Sequence, residues 1–98
     1  MITQAAVHWC TLDAGRRPVL VVSRTFADLP TVVVAPITRT LRDIPTALFL
    51  DESDGMPVGC VATFDNLLQV PKSLLDSEPI TTIPSWRLCE PLNAMADC

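Results

Sequence analysis

Three arginines bracket a run of four aliphatic residues in the stretch Gly15-Arg16-Arg17-Pro18-Val19-Leu20-Val21-Val22-Ser23-Arg24. A guanidinium is permanently ionised, and its planar fork gives two parallel hydrogen bonds to a phosphate or carboxylate. Set at the ends of a buried strand and joined by Arg39, such groups could form an anion site. Pro18 fixes the chain where the strand begins, so Arg17 would project from a rigid base. For proton transfer the candidates are His8, the only histidine, and Asp65 in Phe64-Asp65-Asn66. Either could equally be structural, His8 as a strand residue and Asp65 as a turn aspartate. A metal is not expected. Cys10, Cys60, Cys89 and Cys98 are widely separated, with no C-x-x-C and no nearby histidine. Cys10 and Cys60 lie in apolar segments and read as core residues. Nor is there a Gly-rich phosphate loop or a G-x-S-x-G, so nucleotide hydrolysis and acyl transfer are unsupported.

Charge is divided unevenly between the halves. The net charge is −4, which argues mildly against nucleic-acid binding. Residues 1–50 nevertheless hold five arginines against three aspartates, while residues 51–98 hold two basic side chains against eight acidic ones. Local potential decides where an anion is drawn, so the first half can bind one while the whole is acidic.

The elements that would carry these groups are short. At 98 residues and 49% apolar, the chain is expected to form one domain, residues 1–98, with a single core. No apolar run approaches the roughly 20 residues needed to cross a bilayer. Met1–Cys10 lacks the basic and hydrophobic regions of a signal peptide, so the expectation is a soluble cytoplasmic protein. Strands are expected at Val7–Leu12, Val19–Ser23, Thr31–Ile37, Ala47–Leu50, Gly59–Phe64 and Leu67–Val70, with a last short one at Ile80–Ile83. Thr31–Ile37 is nearly all β-branched and reads as buried on both faces, with Pro36 marking an edge or bulge. Turn chemistry about every 8–12 residues suggests a small closed or half-closed β-barrel. Asp51-Glu52-Ser53-Asp54-Gly55 lacks the ligand pattern of a calcium loop and reads as a solvated turn. Trp9 reads as core. After Pro84 the period changes, with Trp86, Cys89, Leu92 and Met95 three apart. Pro91 inside that pattern predicts a kinked helix or two short ones. This stripe reads as packing or a dimer seam.

In order, VHWCTLD, RRPVLVV, TVVVAPIT, IPTALFL, GCVATFDN and QVPK resemble the MazF/PemK toxin family, endoribonucleases of toxin–antitoxin systems. The likeness runs from about Val7 to the C-terminus. It implies a mainly β fold, an SH3-like small antiparallel barrel (MazF/CcdB-like) with a C-terminal helix. It also implies a homodimer and cleavage of single-stranded RNA that is sequence-selective and independent of metals, cofactors and ribosomes. By the same resemblance Arg17 and Thr38 are catalytic, and Asp65 occupies a position that some members also use. The implied partner is a MazE-like antitoxin whose disordered acidic tail covers the RNA groove. Two departures stand out. Many members place a glycine–glutamate pair where this chain has Ala5-Ala6, and a longer loop where it has only Asp13-Ala14-Gly15-Arg16.

RNA needs no metal to be cut, because its 2′-OH is a nucleophile beside the phosphodiester. Attack gives a 2′,3′-cyclic phosphate and a 5′-OH. A protein must hold the backbone in line, stabilise charge on the phosphoryl oxygens and manage two protons. Arg17 suits the charge, and Thr38 could add a hydroxyl hydrogen bond. Arg16, Arg24, Arg39 and His8 are candidate RNA contacts, and Asn66 could read a base edge or hold its turn. The competing expectations are a CcdB-like toxin that binds a protein such as DNA gyrase without chemistry, and a degenerate binding-only barrel. A homodimer also follows from the apolar content, which leaves a face to cover.

Overall fold

The structure, a computed structural model, describes residues 2–13, 15–24, 28–41 and 43–96. Of the residues considered above, Ala14, Arg42 and Cys98 lie outside these. Among the described residues the strands are β1 (Ala6–Leu12), β2 (Gly15–Val21), β3 (Thr31–Thr38), β4 (Ala47–Leu50), β5 (Cys60–Thr63), β6 (Leu68–Pro71) and β7 (Thr81–Thr82), followed by helix α1 (Cys89–Met95). All pairings are antiparallel, in the order β4-β5-β3-β2-β1-β7, with β6 also on β3. The fold is a mainly β half-barrel with a C-terminal helix.

β3 is the strand around which the sheet bends. One edge pairs with β2 through Val34–Pro36; Thr31–Val34 pairs with β6, and Ile37 and Thr38 pair with β5. β5 and β6 thus lie along β3 rather than against each other. Pro36 stands where β6 gives way to β5, so its missing N–H costs no ladder bond there. The buried Thr63 hydroxyl donates to the Pro36 carbonyl at 2.9 Å, fixing the changeover.

Burial on both faces explains the near-continuous aliphatic strands. Alternate residues of β2 and β3 feed two cores. Val19, Val21, Val32 and Val34 join Cys10, Val70 and Leu75 on one side. Leu20, Ala35 and Ile37 join Val7, Leu50, Phe64 and Leu88 on the other. Leu20, Leu50, Phe64 and Leu88 are among the largest fully buried side chains, each contributing about 1.5–3 kcal/mol on leaving water. Ala5, packed at the start of β1, has φ +71. That left-handed conformation costs an L-residue about 1–2 kcal/mol and is one that glycine adopts freely.

The acidic stretch after β4 does more than face water. Asp51 caps a short 3₁₀ turn over Glu52–Asp54, and the Asp54 carboxylate pairs with Arg87. The Asp54 carbonyl accepts the Thr81 hydroxyl at 2.7 Å. Gly55 has φ +94, and a Cβ on it would lie 2.4 Å from the Thr81 hydroxyl oxygen, so only glycine fits the turn. These contacts clamp the C-terminal segment, which forms two short pieces, a 3₁₀ turn over Ser85–Leu88 and then α1. Pro91 is the third residue of α1, where an N–H would have no intrahelical partner, so the expected cost disappears. Of the predicted apolar stripe only Leu92 packs against the core. Leu88 and Pro91 are buried, whereas Trp86, Cys89 and Met95 are exposed.

Candidate active site

Pro18 opens the site by ending a ladder. The Val22 N–H donates to the Val33 carbonyl at 2.9 Å, so even-numbered residues of β2 point their backbone groups at β3. Leu20 keeps the pattern opposite Ala35. The next donor in line would come from Pro18, which has none, and the pairing stops after Val19 opposite Pro36. Continuing the same register two residues further sets Arg17 opposite Thr38. Directly opposed residues share a face of the sheet, here the face of Val19, Val21 and Val34. Arg17 and Thr38 therefore stand on the two lips of a split between strands.

Two grooves, each of about 320 Å³, adjoin that split, and Arg17 and Thr38 border both. The first lies on the side of the Leu20 core and is largely apolar, with Trp9, Pro18, Ile37, Met56, Val58 and Cys60 in its walls and Arg16 and Arg39 at its rim. The second is more polar, lined by Pro36, Thr40, Thr63, Asn66 and Leu68. The Thr38 hydroxyl oxygen accepts the Thr40 N–H at 3.2 Å. This fixes the oxygen and leaves the hydroxyl proton to donate into the grooves. Cationic forks and a preset hydroxyl converging on open space make a site for a phosphate.

The remaining expected site residues divide. Arg39 is exposed and borders the first groove; Asn66 borders the second. Asp65 is exposed on the turn beside Asn66 and lines neither groove. Arg24 lies beyond the far end of β2, seven residues from Arg17. At about 3.3 Å per residue that is roughly 20 Å away, and it lines neither groove. Arg16 does reach the first groove, but it is already engaged, paired with the Asp76 carboxylate and lying over the Trp9 ring at 5.3 Å from its centroid.

His8 is not a groove residue. It is fully buried, and its Nδ1 donates to the Asp76 carbonyl at 2.7 Å. Its Nε2 is buried without a hydrogen-bond partner among the described residues. Such an imidazole ties β1 to the segment after β6 and cannot reach a phosphate in either groove. Trp9 corrects the opposite error. Expected in the core, it is 38% exposed and walls the first groove. It stands opposite Pro18 in the β1–β2 register, a pairing that only the structure gives. Asp76, beside Trp9 and Arg16, carried no motif that would single it out.

Neither groove is lined by a carboxylate or an imidazole among the described residues. No group of three or more His, Cys, Asp or Glu is placed to hold a metal ion among them either. Cys60, in the first groove, is held above the usual thiol pKa by burial and then by the Asp54 charge. It is therefore a protonated wall residue rather than a nucleophile. What the grooves offer is cationic stabilisation and positioning.

Comparison with known proteins places the sequence and the fold. Residues 3–96 match the family model described as PemK-like, MazF-like toxin of type II toxin–antitoxin systems. The probable endoribonuclease MazF5 of Mycobacterium tuberculosis is 32% identical over 98 residues, covering 94% of this chain and 90% of the relative. Among solved structures, Mycobacterium tuberculosis toxin MazF-mt6 superposes with a TM-score of 0.81 at 30% identity, covering 94% of this chain and 96% of the other. An endoribonuclease in complex with its cognate antitoxin, from a mycobacterial species, gives a TM-score of 0.83 at 26% identity, with 98% and 95% covered.

Proposed function

The chain belongs to the PemK-like, MazF-like toxin family of type II toxin–antitoxin systems, and from that premise we propose that it cleaves single-stranded RNA at the split between β2 and β3. Its activity is that of a toxin endoribonuclease with an antitoxin partner. The gyrase-binding and binding-only alternatives are set aside, since the curated relatives are named endoribonucleases. The observation that carries the proposed site is that Arg17 and Thr38 both line the two grooves beside the point where the β2–β3 ladder ends.

The scissile phosphate lies between the two lips. Arg17 gives a bidentate contact to its non-bridging oxygens, and the Thr38 hydroxyl donates to the same group. As the 2′-oxygen bonds to phosphorus and the bond to the 5′-oxygen breaks, negative charge grows where these donors point. Donors fixed beforehand stabilise that state more than the ground state. The 2′-OH loses its proton and the leaving 5′-oxygen gains one, so the products are a 2′,3′-cyclic phosphate and a 5′-OH. Asp65, one residue from the second groove, remains the candidate for a proton-transfer or arginine-orienting role. Arg39 and Asn66 contact the RNA on either side. Cleavage is selective for sequence and needs no metal, the toxin acts in the cytoplasm as a homodimer, and the antitoxin docks an acidic tail over the arginine-bearing lip.

The test is incubation of the protein with a long unstructured RNA in EDTA, with fragment ends mapped. Fragments ending in 2′,3′-cyclic phosphate, lost on Arg17→Ala, are expected. Intact RNA at high protein concentration, or equal cutting by the variant, would refute the reading.

A further inference from the structure

We propose that Asp76 is a built-in competitor for the RNA phosphate at Arg16, a positioning residue that holds this guanidinium against Trp9 until a phosphodiester displaces it. The inference rests on the single-stranded RNA reading above. Arg16 and Trp9 both wall the first groove, next to Arg17. Arg16 and Arg17 leave β2 on opposite faces, yet both line the first groove, so a strand of RNA whose scissile phosphate sits at Arg17 can bring a neighbouring phosphate along the groove to Arg16. One Nη of Arg16 is already paired with a carboxylate oxygen, the acceptor that most resembles a phosphate among protein side chains.

Asp76 does not depend on Arg16 for its position. Its N–H donates to the Trp9 carbonyl at 2.9 Å, and its own carbonyl accepts from His8 Nδ1 at 2.7 Å. Both bonds are made by the Asp76 backbone, so β1 keeps the root of this side chain beside Arg16 whether or not the ion pair is formed. The buried His8 gains a purpose in this arrangement, as the anchor of Asp76. The pair itself is weak. Its side chains are 56% and 45% exposed, and water screens such a pair strongly. A phosphodiester already held by Arg17 can therefore take Arg16 over. Until it does, the carboxylate cancels one positive charge at the groove and keeps Arg16 stacked on the indole face. Asp76 thus lowers affinity for polyanions in general and sets the substrate concentration at which the groove fills.

Asp76→Asn tests this, because it removes the charge while keeping the side-chain size and both backbone hydrogen bonds. Thermal unfolding checks that the fold is retained. Binding to a labelled single-stranded RNA under non-cleaving conditions, across a salt series, gives the readout. D76N is expected to bind about two- to fivefold tighter at low salt. The slope of log K against log salt should steepen by up to about 0.7, the value for one more phosphate contact on a single strand. In cleavage the gain should appear in KM rather than in kcat, as for a contact made equally in ground and transition states. In an Arg16→Ala background the D76N effect should vanish. Equal or weaker binding by D76N overturns the proposal, and so does a gain that persists without Arg16, which would be a general charge effect. Failure of both wild type and D76N to bind RNA at any salt would instead sink the RNA reading itself, and this inference with it.

Discussion

Arg17 and Thr38 are asked to do different work, and conservative substitutions separate the two. Arg17→Lys keeps a positive charge but loses the fork, and Arg17→Ala loses both. Losing one preorganised donor lowers kcat by about 10²–10³ in comparable sites. Arg17→Ala is expected at that level, Arg17→Lys in between, and Thr38→Val, which keeps the shape and removes the hydroxyl, closer to tenfold. Single-turnover cleavage rates give the order, and an unaffected Thr38→Val would remove the hydroxyl from the mechanism. The thiols give a second prediction at this scale. Burial raises the pKa of both Cys10 and Cys60. A group whose folded pKa is raised favours the folded state below the ordinary thiol value and loses that contribution as pH climbs through it. Stability should therefore decline above about pH 9 (the ordinary thiol range). Alkylation mapped by mass spectrometry should modify exposed Cys89 well before Cys10 or Cys60 at neutral pH. Early labelling of Cys60 would contradict the packing of the first groove. The family resemblance singled out Arg17 and Thr38, which both border the grooves, while segment order and spacing located the strands that carry them. Order and spacing were not enough for His8 and Trp9, because alternation assigns a face only when one side of the strand meets water, and β1 is packed on both.

Prolines organise the elements, each in its own way. Pro36 falls at a change of strand partner and Pro91 in a first helical turn, and both remove an N–H that had nowhere to go. Pro18 removes one that would have continued the β2–β3 ladder toward Ile37. Pro18→Ala restores that donor, so the ladder should extend by a bonded pair and draw Arg17 and Thr38 together. The expectation is unchanged or slightly higher stability with activity reduced on the order of 10- to 100-fold, since small misplacements at a reacting centre are costly. Amide exchange at position 18, measured beside cleavage, shows whether the new N–H is protected. Full activity with a protected amide would show that the split is not what positions the site. Strand existence was readable from the short apolar runs, and the two-piece C-terminal segment from Pro91. The helix face was not, because only Leu92 of the regular Trp86, Cys89, Leu92, Met95 spacing packs against the core, and most of the segment's anchoring lies off that stripe. That anchoring comes from Leu88 in the core and from the pairing of Arg87 with Asp54, a contact between residues 33 apart in sequence. Spacing within one segment carries no information about such a contact.

Taken whole, the molecule leaves apolar surface uncovered. Trp86 is 71% exposed, and Phe49 and Met95 are exposed as well. Trp86 and Cys89 also wall a shallow depression with Leu48, beside Arg87. Isolated apolar side chains on a surface are ordinary, but a tryptophan held out on a 3₁₀ turn that Arg87 and Leu88 pin to the body is not free to fold away. Such a side chain gains most when a second surface covers it. A closed two-fold assembly uses the same patch twice, so a patch of this kind serves both copies at once. The expected outcome in sedimentation at micromolar concentration is a species of about twice the 10.7 kDa chain mass. Trp86→Asp should shift the equilibrium toward monomer while leaving the circular dichroism of the strands intact, because Trp86 contributes little to either core. If the wild-type chain sediments at its single-chain mass throughout that range, the homodimer is refuted. If the wild type is dimeric and Trp86→Asp leaves it so, the exposed C-terminal stripe is not the seam, and the apolar residues elsewhere on the surface, Leu68 and Leu41 among them, become the place to look for it.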